Sequence, residues 1–339
     1  MAKQFFFPPV QTKADGKCRR VGFELEFAGL DLETAADVLA NALDGEVQPE
    51  TEAECTVKTR LGDFQIELDW QFAKTTARQR AEEREQDPAS DADDRDRLMA
   101  WITRLAGQIV PMEVVCPPVA LDELETLDAA VPALREAGAL GTEEALLYAF
   151  GVHINPDIPD LTPATLTRYL KAFCISQAWL MKAHKVDLMR RVTPYINLYP
   201  QPYLARVCRY ENPTMAQVML DYLEFNPTRN RALDLTPLIK HIDASAVEPL
   251  KDSRINARPT FHYRIPNCEI EQADWSLADS WNIWCVVEQL AADPELLDRL
   301  SAECADYYEK VVTLEAPSWH EDLDNLRARI APGGDSAPA

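Results

Sequence analysis

The chain has 339 residues, 47% of them hydrophobic, which is enough for one large domain or two modest ones with a full core. Its 34 basic and 56 acidic residues give a formal charge of −22, a field that repels nucleic acid and anionic membrane surfaces. Eight scattered cysteines, with no Cys-x-x-Cys pair and no Cys/His cluster at zinc-ligand spacing, read as reduced core thiols. With no secretory-type start and no run of about 18 apolar residues, the expectation is a cytoplasmic protein without a membrane partner.

In chain order, alternation predicts a strand over 21–27, and shared-face spacing of Leu32, Ala35, Ala36, Leu39 and Leu43 predicts a helix over 31–43. A strand follows at 63–70. Residues 77–97 are almost wholly charged and lack aromatic and β-branched residues, so they read as a mobile insertion. Further strands are predicted at 111–116, 149–155 and 260–266. Helices are predicted at 163–190, opened by Thr162 and Pro163, and at 214–224, 276–292 and 294–312, with Ser276 and Asp279 as a capping pair. Residues 331–339 form a small-residue tail without periodicity. Strands and helices mix irregularly, so the fold class is α+β: a largely antiparallel, curved sheet with helices on its apolar face, in a single domain over 1–330.

The polar faces of these strands carry the chemistry. Strand period puts Val21, Phe23, Leu25 and Phe27 on one side and Glu24 and Glu26 on the other, roughly 7 Å apart. In isolation such a pair is the wet face of an antiparallel sheet. The pattern recurs, however: Glu67 and Asp69 alternate with Ile66 and Leu68, and Glu113 sits between Met112 and Val114. Carboxylates facing one another across strands are destabilising unless spaced widely or holding cations, and hard oxygen donors suit Mg²⁺ or Mn²⁺. His153 and Asn155, then His262 and Arg264, alternate in the same manner, offering a metal ligand and a phosphate-binding arginine that would complete a nucleotide site. Taken singly, each is more often a satisfied core histidine or half of an ion pair. The 11 glycines form no Gly-x-x-x-x-Gly-Lys loop, Gly-x-Gly-x-x-Gly turn or Gly-x-Ser-x-Gly elbow, which removes support for P-loop, dinucleotide and serine-hydrolase readings.

An ordered series of segments carries a resemblance: Gly22-Phe-Glu-Leu-Glu-Phe27, Glu67-Leu-Asp69, Glu113-Val-Val-Cys-Pro-Pro118, Gly151-Val-His153 and Arg264-Ile-Pro266 before a Trp-rich helix. From about residue 20 to about residue 292 the chain resembles the amidoligase family, a branch of the carboxylate-amine ligase superfamily that also holds glutamine synthetase and glutamate-cysteine ligase. The resemblance implies a glutamine-synthetase-like catalytic domain with ATP and Mg²⁺ (or Mn²⁺) as cofactors. It implies metal ligation by Glu24, Glu26, Glu67 or Asp69, and Glu113. His153 and Arg264 would serve catalysis and nucleotide binding, with Asn155 and His262 beside them, and Arg264 would face the transferring phosphate. Looser similarity at Arg191 with Tyr195, and at Asn230-Arg231, implies substrate-side groups. Where the family often has Glu-Phe-Arg this chain has His262-Tyr-Arg264, and Asn155 stands where the family has a second histidine.

The implied reaction is phosphorylation of a substrate carboxylate, on an amino acid or peptide, followed by attack of an amine on the acyl phosphate to form an amide or isopeptide bond. Two alternatives remain open from the residues: a non-catalytic nucleotide- or peptide-binding member of the same fold, and a metal-dependent hydrolase using the same carboxylates to activate water.

Overall fold

The computed structural model describes residues 3–51, 53–68, 111–142, 150–186, 190, 196–309 and 317–331. Asp69, Arg191, Tyr195, the charged segment 77–97 and residues 332–339 lie outside them.

Among the described residues nine strands form one antiparallel sheet: β1 (Arg20–Phe27), β2 (Glu46–Pro49), β3 (Glu54–Thr59), β4 (Gly62–Leu68), β5 (Met112–Val115), β6 (Val119–Ala120), β7 (Val152–Pro156), β8 (Leu233–Asp234) and β9 (His262–Tyr263), in the order β2-β3-β4-β5-β1-β7-β9-β8 with β6 beside β1. The fold is thus mixed helix and antiparallel sheet, as alternation predicts. β1 is central because both of its flanks are used: Glu26 faces Glu113 of β5, and Glu24 faces His153 of β7.

One face is apolar without interruption. Val21, Phe23, Leu25 and Phe27 of β1, Phe64 and Ile66 of β4, Met112 and Val114 of β5, and Val152 and Ile154 of β7 are all buried. Four helices bear on the argument: α1 (Leu32–Leu43), α2 (Pro163–Ala183), α3 (Leu277–Ala292) and α4 (His320–Ile330). The α1 helix packs its buried stripe of Ala35, Ala36, Leu39 and Leu43 against β2 to β4. Under β9, Tyr169 of α2 stacks on Phe261 at 4.9 Å and Trp284 of α3 meets Tyr263 at 4.9 Å. Aromatic side chains of this size supply much of the core's apolar area.

The helix starts follow their capping chemistry. Asp31 accepts from Thr34 N, Thr162 accepts from Thr165 N with Pro163 in the first turn, and Ser276 with Asp279 forms a reciprocal capping box. Two boundaries differ clearly from the expected ones. The helix expected over 163–190 ends at Ala183, where Lys185 takes φ 48°, a left-handed conformation that breaks the ladder. The strand expected over 260–266 shrinks to His262–Tyr263, although Thr260 and Asn267 still bridge to Asp157 and Gly151, because its outer backbone groups pair singly beside Pro266. The reading of all cysteines as core thiols holds for seven; Cys18 is exposed, and all eight are free.

Among the described residues no helix is long and apolar enough to cross a membrane.

Candidate functional site

On the polar face the register lines up four carboxylates across four neighbouring strands: Glu54 opposite Glu67, Glu67 opposite Glu113, and Glu113 opposite Glu26. Neighbouring strands lie about 4.8 Å apart, so this is a continuous acidic row. Burial grows along it, from the exposed Glu54 and Glu67 to the half-buried Glu113 and Glu26. One further pleat along β1 lies Glu24, only 7% exposed.

Glu24 and Glu26 have different surroundings despite sharing a strand face. Both oxygens of Glu24 are occupied: His153 Nδ1 lies 2.9 Å from Oε2, while Asn155 Nδ2 and Arg258 Nη1 donate to Oε1 at 3.0 and 3.3 Å. Burial pushes the Glu24 carboxyl up, but the His262 and His153 imidazoles, the His153 hydrogen bond and the Arg258 guanidinium outweigh it and hold the carboxyl well below the usual range. Burial, and after it the Arg264 guanidinium, push the His262 imidazole itself well below the ordinary histidine value. His262 instead hydrogen-bonds Asn155 Oδ1 at 2.5 Å, closing a chain His262–Asn155–Glu24–His153.

That chain sets the tautomer of His153. An ionised Glu24 can only accept, so Nδ1 carries a proton and Nε2 is the ring nitrogen turned toward the acidic row. Nε2 points at Glu26 Oε1, 3.6 Å away, and the other Glu26 oxygen is fixed by the Gly151 amide at 2.8 Å. In the neutral ring Nε2 and Glu26 Oε1 are both acceptors, an arrangement that a bound cation would satisfy. Glu26, Glu113 and His153 each bring one ligand atom within 4.8 Å of the others; Glu24, His153 and His262 form an overlapping triad of the same kind. The first set, two carboxylates and an imidazole whose far ring nitrogen is hydrogen-bonded to Glu24, would suit a divalent ion such as Mg²⁺ or Mn²⁺.

Gly151 belongs to this geometry. A Cβ there would sit 2.4 Å from Arg190 Nη2, and Arg190 also holds the β9 end through the carbonyls of Arg264, Ile265 and Pro266 at 2.5–2.9 Å. A side chain at 151 would therefore have to displace the Arg190 fork that holds the end of β9.

Of the residues singled out by sequence, the structure gathers Glu24, Glu26, Glu113, His153, Asn155 and His262, with Glu67 next along the row. Arg264 shares their face but lies beside Asp234, its Nη2 3.3 Å from Oδ2. Arg231 turns its Nη2 toward the Phe225 carbonyl at 3.3 Å. Asp69, Arg191 and Tyr195 lie outside the described residues. Sequence reading missed Glu54, Arg258, Arg229 and Asp234. Glu54 precedes the alternating Cys55 and Val57 and could have been found by that signal, whereas the two arginines sit in segments with no period.

No curated protein and no solved structure matches the chain. A family model described as "Putative amidoligase enzyme" matches residues 17–286, a span that takes in every strand of the sheet and the entire carboxylate face. On that match the chain belongs to the amidoligase family.

Proposed function

We propose that the protein is an ATP-dependent carboxylate-amine ligase, with a glutamine-synthetase-like arrangement of sheet and site, that forms an amide or isopeptide bond through an acyl phosphate. The observation that carries the reading is the convergence of one ligand atom each from Glu26, Glu113 and His153 within 4.8 Å of one another in a member of the amidoligase family. Glu26, Glu113 and His153 would hold Mg²⁺ or Mn²⁺, with Glu67 close enough along the row to serve a second ion. When bound, the metal neutralises charge on the nucleotide phosphates.

The remaining steps belong to side chains. Glu24 holds the His153 ring in one orientation and tautomer. Arg264, fixed against Asp234 on the same face, stabilises negative charge on the transferring phosphoryl group. The substrates of the reading are an amino acid or peptide carboxylate and an amine. The test is release of ADP by the purified protein with Mg²⁺, ATP and pooled amino acids and peptides, with the amide product identified by mass. ADP release that depends on both substrate classes is the expected result, and amide cleavage without ATP would replace the ligase with a metal-dependent hydrolase.

One observation favours a second reading. Glu24 has both oxygens engaged by protein donors, two of which, Asn155 and Arg258, compete with any metal for it. Saturable nucleotide binding with no ADP release under any substrate pool would make the protein a nucleotide-binding member of the family without turnover.

A further inference from the structure

Beyond His262 the sheet ends in β8, and there positive charge exceeds negative in a buried place. Asp234 is fully buried, and its Oδ1 is used by the Thr236 amide and hydroxyl at 2.8 and 2.6 Å. The single remaining oxygen, Oδ2, is approached by two guanidiniums, Arg264 Nη2 at 3.3 Å and Arg229 Nε at 3.7 Å. Arg264 and Arg229 expose only 10% and 17% of their side chains, and the Nε atoms of both are buried without a hydrogen-bond partner among the described residues. Burial, and after it the Arg264 charge, lowers the Arg229 guanidinium below its ordinary value. The neighbouring Arg254 and Asp252 pair with each other at 2.7 Å and bring no net charge.

One carboxylate oxygen cannot satisfy two forks. Each guanidinium presents five N–H donors, and donors buried without acceptors are costly enough that native structures seldom keep them for packing alone. In a chain of formal charge −22, a buried excess of one positive charge on the same sheet face as the carboxylates is a built receptor for an anion. Paired guanidinium donors match the two oxygens of a carboxylate or one face of a phosphoryl group.

We infer that Arg229 and Arg264, set in place by Asp234, form a pocket for one oxyanion that works without metal and in which Arg229 is the principal free donor. The inference relies on the ligase reading only for the oxyanion's source, which is either a carboxylate of the substrate or the phosphoryl group in transfer.

The experiment uses full-length protein stripped of metal by chelator and free of nucleotide, titrated with inorganic phosphate and, separately, with glutarate. Calorimetry gives the affinity and the thermal midpoint gives stability. Saturable binding of one anion is expected, and which one binds identifies the source. Arg229→Gln should weaken it by at least about tenfold, and Arg229→Lys, which keeps the charge and loses the fork, by an intermediate factor. Without anion, Arg229→Gln should leave the midpoint unchanged or raised, because Asp234 keeps Arg264 and Thr236 while like-charge crowding falls. The pocket is overturned if neither anion binds, or if binding is unchanged in Arg229→Gln. A lower midpoint with unchanged binding would also overturn it, making Arg229 a counter-ion of Asp234. None of these readouts involves ADP release, so the ligase reading stands or falls separately.

Discussion

Glu24 and Glu26 lie two residues apart on one strand face, yet the first is enclosed by His153, Asn155 and Arg258 and the second opens onto the acidic row. Their neutral variants should therefore diverge. Glu26→Gln removes one like charge from opposite Glu113, so the thermal midpoint without metal should stay level or rise. Glu24→Gln weakens an interior network and should cost about 1–3 kcal/mol in urea unfolding. Equal destabilisation by both would deny that their roles differ. The Glu-x-Glu spacing was legible in the sequence; the division of labour was not, because Asn155 and Arg258 reach Glu24 from other parts of the chain. Arg264 was legible by alternation, but its partner Asp234 sits in a two-residue strand with no period to reveal it. If Arg264 grips the transferring phosphoryl group, Arg264→Lys should lose turnover by about 2.7–4 kcal/mol with little change in nucleotide KM. Turnover within about threefold of wild type would reduce it to the counter-ion of Asp234.

At the scale of elements, β9 joins the site to the core. His262 and Arg264 face the carboxylates while Tyr263 points inward and its hydroxyl lies 2.7 Å from His184 Nε2, just past the end of α2. Burial, then the charges of Arg190 and Arg327, lower the His184 imidazole to about 3. An unfolded histidine titrates near 6.5, so between about pH 6.5 and 3 the unfolded chain binds a proton that the folded chain refuses. Stability from this group is complete above pH 6.5 and falls as pH drops, by up to about 1.4 kcal/mol per unit. His184→Asn should flatten the urea-derived stability slope between pH 7 and 5 relative to wild type; identical slopes would show that His184 titrates normally. Thr162 and the Ser276–Asp279 box located helix starts because capping is local chemistry. The strand expected at 63–70 is β4, but its hairpin partner β3 escaped notice, since the turn at Arg60 and Leu61 carries none of the usual turn dipeptides before Gly62.

Across the whole molecule, one buried ion pair ties the sheet to the helices behind it. Arg19, 1% exposed, donates to both oxygens of Glu288 in α3 at 2.7 and 2.8 Å, to the Val10 carbonyl at 2.7 Å and to the Asp157 carbonyl at 2.9 Å. Glu288 also accepts from Tyr169 of α2 and from Trp284 Nε1. Arg19→Met would leave that carboxylate buried and unpaired, so unfolding free energy should drop by about 3–5 kcal/mol; a loss below about 1 kcal/mol would mean the pair is dispensable. Such a frame holds β1 rigid while the acidic row on its other face stays poised for cations. The α+β class and the carboxylate face could be read from alternation, whereas the closing of that face by Arg229, Asp234 and Arg258 depends on tertiary contacts that no local pattern encodes. The claim that the face is a metal centre is tested most directly by titrating chelator-treated protein with Mn²⁺ and counting bound ions by electron paramagnetic resonance, in the wild type and in a Glu26→Gln/Glu113→Gln double variant. The account predicts saturable binding in the wild type and its loss in the double variant with the fold intact. Absence of saturable binding, or equal binding by the double variant, would contradict it.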